Sequence, residues 1–355
     1  MNIFDLGLTD KLSEYLKDTD LKEFTVGRVT REYRERYTVS TGDKEYNAEI
    51  TGNLRFTASS RSDFPAVGDW VAMSVYDSDQ AIIHRILPRK SLLERQMVGK
   101  AGEKQIISAN IDVAFIIQSI DNNFNINRLE RYMTVCYSSG IEPVLVISKV
   151  DLSTETELKT AIDSLEKRNK KIKTILLSNM TDQGLDQINN FIEKGKTYCV
   201  VGSSGVGKSI LINKLLGNNI LRTGQISQST NKGRHITEHR ELFILDNGGI
   251  IIDTPGMKEL GVTEDSEGLQ TAFQEIFNLT LKCRFSDCTH VNESGCAVIQ
   301  ALNDGIIDKD SLENFRRLLK EQERFTLTIA EKHKKDREFG KMAKNVLKEK
   351  KKTKG

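Results

Sequence analysis

The rhythm of hydrophobic and polar positions changes twice along this chain. A lead-in over 1–21 reads as a short amphipathic helix or a loose arm. Residues 24–87 then carry short runs rich in β-branched and aromatic residues (FTVGRVT, ERYTVST, KEYNAEI, DWVAMSV, AIIHRIL), broken by turn signals such as Thr41-Gly42-Asp43. Five short strands predict a small β-barrel over 22–95. An OB-fold is the leading topology and a five-stranded SH3-like barrel the alternative. From residue 110, nearly continuous apolar runs (IDVAFIIQSI, PVLVIS, KTILLS, TYCVV, GIIID) alternate with helical periodicity at 125–139, 154–170, 183–193 and 208–217. Strands apolar on both faces, separated by helices, predict an α/β domain over 96–262 with a parallel sheet covered on both sides. A module with clustered Cys and His and a charged helical stretch at 310–335 fills 263–335, and 336–355 is a basic tail.

Composition changes this picture in two ways. No apolar run approaches the roughly 20 residues of a membrane-spanning helix, and MNIFDLGLTDKL lacks the basic start and apolar stretch of a secretory signal. Five cysteines in 355 residues do not make a disulfide scaffold, so a reducing, cytoplasmic setting is expected. Net charge is +2, but residues 331–355 hold ten Lys and one Arg against four acids, +7, leaving −5 on the rest. A basic tail on a mildly acidic body points to a polyanionic partner. Trp70, the lone tryptophan, reads as a core residue rather than a base-stacking platform.

The strand Tyr198-Cys199-Val200-Val201 runs directly into Gly202-Ser203-Ser204-Gly205-Val206-Gly207-Lys208-Ser209, and an amphipathic helical segment follows. This is GxxxxGKS in the strand–loop–helix setting that a phosphate-binding loop needs. The glycines let backbone N–H groups turn inward as an anion nest, and the helix N-terminus adds partial positive charge. Lys208 is expected to reach the β- and γ-phosphates and the Ser209 hydroxyl to hold Mg2+. Asp253-Thr254-Pro255-Gly256 closes the strand GIIID, so Asp253 can serve Mg2+ and the Gly256 amide can sense the γ-phosphate.

Ser148-Lys149-Val150-Asp151 follows the strand PVLVI and resembles the NKxD element that selects guanine. Asp151 can accept from guanine N1 and N2, which adenine cannot match. Ser148 replaces the usual Asn, so a brace on the loop is expected to be lost and binding to be weaker. Ser178-Asn179, after KTILL, matches the short loop whose backbone meets the guanine oxygen, with Asn179 in place of Ala. These base-reading loops precede the P-loop, whereas ordinary GTPases carry them after it. The full set in rotated order predicts a circularly permuted P-loop GTPase domain.

A permuted GTPase domain between a small barrel and a Cys/His module resembles the RsgA (YjeQ) family of bacterial ribosome small-subunit-dependent GTPases. The likeness rests on VGDWV (67–71), RKSLLER (89–95), ANIDVAFII (109–117), GSSGVGKS (202–209), TGQIS (223–227), NKGRHIT (231–237), DTPG (253–256) and the cysteine cluster. It implies a GTPase that binds the small ribosomal subunit and its rRNA late in assembly and leaves after hydrolysis. Many members read HTTT where this chain reads His235-Ile236-Thr237-Glu238, so Thr237 becomes the switch I contact for Mg2+ and γ-phosphate. The residue after Gly256 is Met257, which can neither orient nor deprotonate water. His235 is therefore the expected catalytic group beside Lys208 and Thr237.

Cys283, Cys288, His290 and Cys296 lie within 14 residues. Three thiolates and one imidazole make a closed tetrahedral site, so one structural zinc is expected. Cys136 and Cys199 read as core cysteines. A monomer is expected, since no coiled-coil repeat is present. A P-loop ATPase, or a nucleotide-switched RNA-binding protein not tied to the ribosome, is the alternative reading.

Overall fold

The computed structural model describes residues 2–17, 21, 23–33, 36–58, 60–96, 104–121, 124–169, 171–218, 240–254 and 266–326. The five expected barrel strands are β1 (Thr25–Tyr33), β2 (Arg36–Ser40), β3 (Glu45–Ile50), β4 (Trp70–Val75) and β5 (Gln80–Ile86). They pair in the order β1-β2-β3-β5-β4, and β4 returns to β1 to close the barrel. Only β3–β5 is parallel, and the helix Gly52–Thr57 connects β3 to the segment before β4. This is the OB-fold connectivity rather than an all-antiparallel SH3-like barrel. Alternate residues point inward, so Val29, Tyr37, Val39, Ala48, Val71, Met73 and Ile83 fill the interior.

The lead-in folds as a 3-10 turn, Ile3–Leu6, and a helix, Asp10–Lys17. Leu6, Leu12 and Leu21 pack with Trp70, Ala72 and Leu87 against the outside of the barrel. Trp70 is only 2% exposed, a core residue as its sequence context suggested. Two segments quoted above meet next to it. Arg89 donates to the buried Asp69 carboxylate at 2.6 and 2.7 Å and to the carbonyls of Ser62 and Phe64. Gly68 has φ +93°, and a Cβ there would lie 2.2 Å from the Ala109 carbonyl oxygen, so only glycine lets VGDWV also approach the start of ANIDVAFII.

A two-stranded ribbon, β6 (Leu92–Gln96) with β7 (Lys104–Ala109), leads into β8 (Val113–Ser119), β9 (Glu142–Ser148), β10 (Lys173–Leu177), β11 (Thr197–Gly202), β12 (Arg240–Ile244) and β13 (Ile250–Asp253). The sheet order is β10-β9-β8-β11-β13-β12, parallel except for β12. Along β8, Val113, Phe115 and Ile117 enter one core while Ala114 and Ile116 enter the other, which is why these strands read as unbroken apolar runs. The ribbon and β12 were not legible in the pattern.

The barrel and this sheet are continuous. Strand β12 pairs with β1 through Arg31↔Glu241 and Glu32↔Arg240, and Arg31–Glu241 and Arg240–Glu32 are also ion pairs. Behind this seam lies the wholly buried Arg28. Its guanidinium donates to the carbonyls of Leu6 (2.5 Å) and Gly68 (3.1 Å) and to Thr197 Oγ1 (2.9 Å), joining the lead-in, the barrel and β11. Burial pulls its pKa down to about 10, so it stays charged at neutral pH.

The C-terminal module comprises the helices Ser266–Ala272, Gln274–Thr280, Ala297–Asn303 and Lys309–Thr326. The last covers the described part of the expected charged helix. The basic tail lies outside the described residues. Helix Ile126–Ser138 of the α/β domain carries the module. Its Glu130, 1% exposed, accepts from Arg168 Nη2 and Nε at 2.6 and 3.0 Å and from Asn314 Nδ2 at 2.6 Å. Burial pushes the Glu130 carboxyl above its ordinary value, and Arg168 pulls it back.

Candidate functional site

The expected nucleotide residues that the structure describes converge at the carboxyl edge of the parallel sheet, where ligands sit in open α/β folds. Strand β11 ends at Gly202, and a Cβ there would lie 2.3 Å from the Ile117 carbonyl oxygen of the neighbouring strand. The loop that follows needs left-handed backbone at Gly205 (φ +80°) and Gly207 (φ +100°). Helix Lys208–Leu215 then begins. Lys208 Nζ folds back over the loop, donating to the carbonyls of Gly202 at 2.9 Å and Ser203 at 2.6 Å. Ser209 sits half-buried in the first turn of this helix, and Ser204 and Gly205 are open to solvent.

Asp253 lies at the end of β13, which pairs with β11. Burial pushes its carboxyl up to about 6, against the pull of the Lys208 ammonium. A carboxylate held that way gains from a cation, which suits Mg2+ with a nucleotide phosphate. Thr254 Oγ1 donates to the Val200 carbonyl at 2.9 Å and ties the strand end to β11. His235, Thr237, Gly256 and Met257 lie outside the described residues.

Both base-reading loops grip the P-loop from one side. Ser148 is fully buried, and its hydroxyl donates to the Val206 carbonyl at 2.7 Å. The brace expected to be lost with the usual Asn is therefore present, supplied by a shorter side chain. Asn179 Nδ2 donates to the next carbonyl, Gly207, at 3.2 Å, and its Oδ1 is buried with no partner among the described residues. Lys149 adopts left-handed backbone, φ +61°, and its ammonium is held by Asp121 Oδ2 at 2.9 Å. Val150 is buried beneath the loop, and Asp151 faces solvent with its carboxylate free to accept from a base. Ser178 Oγ accepts from the backbone N–H groups of Met180 and Thr181, which fixes the second loop.

Two residues beside the nucleotide-motif loops were not found by motif reading. Asp121 orients Lys149, and Arg128 places Nη1 3.3 Å from Ser203 Oγ. Both lie just after β8, where no short motif marks them.

The metal centre is also assembled. One ligand atom from each of Cys283, Cys288, His290 and Cys296 falls within 4.8 Å of the others. Cys283 Sγ to Cys296 Sγ is 3.8 Å, and His290 Nδ1 is 3.6 Å from each of these two sulfurs. Those edges match a tetrahedron with zinc–sulfur arms of about 2.3 Å. The residues therefore fit one structural zinc, with no position left for water. Glu293 holds the intervening loop by accepting from the N–H groups of Thr289, Val291 and Asn292. Cys136 and Cys199 are buried elsewhere, and burial pushes the Cys136 thiol up to about 12, consistent with inert core positions.

The rotated motif order is matched by the sheet, since strands that come early in the chain flank the P-loop strand on one side. Comparison with known proteins agrees. A family model described as RsgA GTPase matches residues 86–263, and one described as 50S ribosome-binding GTPase matches residues 197–342. Small ribosomal subunit biogenesis GTPase RsgA 2 of Lactiplantibacillus plantarum is 41% identical over 90% of this chain and 89% of that protein. The Small ribosomal subunit biogenesis GTPase RsgA 1 of Bacteroides thetaiotaomicron is 37% identical over 98% of both. The crystal structure of YjeQ from Thermotoga maritima is similar at TM-score 0.63 and 25% identity, covering 84% of this chain and 98% of that one. The fold of YloQ, a circularly permuted GTPase, is similar at TM-score 0.61 and 21% identity, covering 86% and 96%. On the family model and these near-full-length relatives, the chain belongs to the RsgA GTPase family.

Proposed function

We propose that this chain is a GTP-hydrolysing assembly factor that binds the small ribosomal subunit and its rRNA late in maturation and leaves after hydrolysis. It works with Mg2+ and GTP in the cytoplasm, as a monomer. The observation that carries the reading is the joint grip of both base-reading loops on the P-loop, in a chain whose near-full-length relatives carry small-subunit biogenesis names. In this reading Lys208 meets the β- and γ-phosphates, Ser209, Thr237 and Asp253 serve Mg2+, and the Gly256 amide senses the γ-phosphate. Asp151 selects guanine, Lys149 lies along the base, and the backbone of Ser178 and Asn179 meets its oxygen. The barrel and the zinc module grip rRNA, and the basic tail adds salt-sensitive phosphate contacts.

Hydrolysis needs a group to orient water, and His235 takes that role where Met257 cannot. Substituting His235→Ala should abolish most subunit-stimulated turnover, and wild-type turnover in that variant would end the assignment. The test of the whole reading is GTP turnover with purified small subunits, large subunits or neither. Strong stimulation by small subunits alone is expected. No stimulation, or equal stimulation by large subunits, would refute it.

A further inference from the structure

Helix Ile126–Ser138 brings to the P-loop a cation that the nucleotide motifs leave unused. Its first turn is fixed in place. The Asn125 side chain accepts from the Arg128 N–H at 2.9 Å, and Gln118, at the end of β8, exchanges two hydrogen bonds with the Asn125 backbone at 2.9 and 3.1 Å. Strand β8 is the neighbour of β11 in the sheet, so this turn stands beside the loop. Arg128 Nη1 then reaches Ser203 Oγ at 3.3 Å. On the same residue, the Lys208 ammonium bonds the Ser203 carbonyl at 2.6 Å.

Two cations therefore meet on one P-loop residue. Among the described residues, no carboxylate pairs with Arg128. Arg131, three positions along the same helix, is gripped by both oxygens of Glu321, and Arg168 is held by Glu130. The Asp253 carboxylate acts on Lys208, but no described carboxylate offsets Arg128, so an anion at this loop would gain from the guanidinium. A nucleotide triphosphate is the anion this loop is shaped for.

We propose that Arg128 is a catalytic residue that engages the γ-phosphate of bound GTP, an arginine supplied from within the chain by the helix after β8. The inference rests on the P-loop being the GTP site. In the reaction a water oxygen attacks the γ-phosphorus, and the bond from that phosphorus to the bridging oxygen breaks. The electron pair leaves on GDP, and the proton from water departs with inorganic phosphate. Charge shifts onto the bridging and equatorial oxygens as this happens, and a guanidinium fork can donate to two of them at once. Such a contact is strongest in the transition state, so it raises kcat more than it tightens GDP binding. The absence of a glutamine after Gly256 makes this stabilisation more important here.

The test compares the full-length wild type with Arg128→Ala and Arg128→Lys. Four properties are measured: affinity for a fluorescent GDP, the added affinity given by aluminium fluoride, single-turnover hydrolysis, and melting temperature. Arg128→Ala should bind GDP within about twofold of wild type and lose the fluoride-dependent gain. Its single-turnover rate should fall on the order of 10²-fold. Arg128→Lys, which keeps charge and stem but not the fork, should recover part of the rate, and it decides the matter if the alanine variant is unstable. Wild-type hydrolysis in both variants would overturn the proposal. So would a loss of GDP affinity as large as the loss of rate, since that would make Arg128 only a brace on Ser203. A wild-type chain that binds no GDP would defeat the nucleotide site itself and Arg128 with it, whereas the other two outcomes defeat Arg128 alone.

Discussion

Ser148 and Asn179 depart from the usual guanine-binding residues, and the structure gives both departures a common meaning. Their side chains hold consecutive P-loop carbonyls, Val206 and Gly207. Removing the Ser148 hydroxyl leaves the buried Val206 carbonyl without its partner, a loss of about 1–3 kcal/mol. Ser148→Ala should therefore weaken GDP binding about tenfold by fluorescence titration, and unchanged affinity would show that the brace is idle. Asp151 has a different job, because it faces solvent and braces nothing. Asp151→Asn turns an acceptor into a donor on one side, so xanthosine diphosphate should displace GDP from the variant and not from wild type in a competition assay. Motif spacing located Ser148, Asn179 and Asp151. It could not reveal the Ser148 contact, which joins residues 58 apart in sequence.

At the scale of elements, helix Ile126–Ser138 links the nucleotide side to the C-terminal module. Helix Ser266–Ala272 crosses it closely. A Cβ at Gly268 would lie 2.4 Å from the Thr134 carbonyl oxygen, so glycine sets the approach. Helix Lys309–Thr326 docks through Glu130, already paired with Arg168. Glu130→Ala would take the buried carboxylate from the 8%-exposed Arg168, leaving it Asn127 Oδ1 and a 3.9 Å contact to Asp308, and would leave Asn314 Nδ2 only the Asn127 carbonyl. Leaving one partner of a buried pair unpaired costs about 3–5 kcal/mol. Melting temperature should fall clearly, and protease should cleave the module first. Glu321→Ala removes the more exposed pair with Arg131 and should cost under about 1 kcal/mol. Equal effects of the two substitutions would contradict this ranking. The periodicity predicted the helix Ile126–Ser138 and the start of Lys309–Thr326 within a residue, but nothing in it marked Ser266–Ala272 or showed Glu130 as a buried hub.

Among the described residues, one large sheet runs from the β10 edge through the β12–β1 seam around the barrel, and the C-terminal module, whose last helix is rich in charge, gathers one set of metal ligands. Purified protein should carry about one zinc per chain. Replacing Cys283 by Ser should lower the zinc content well below that and lower the melting temperature, while full zinc content in the variant would refute the four-ligand site. The sequence by itself determined what is local. The strand–loop–helix of the P-loop, the rotated order of the motifs, the zinc ligands and the alternation of five barrel strands each lie in short contiguous segments, where backbone periodicity and turn chemistry leave their mark. Tertiary structure alone decided the parallel β3–β5 pairing that makes the barrel an OB-fold, the β12–β1 seam, the anchoring of Arg28 on Leu6, Gly68 and Thr197, and the approach of Arg128 to Ser203, 75 residues away. Hydrogen bonds and ion pairs between distant segments depend on which strands become neighbours, and that choice is settled by burying both faces of the sheet at once. No local pattern of apolar residues records it.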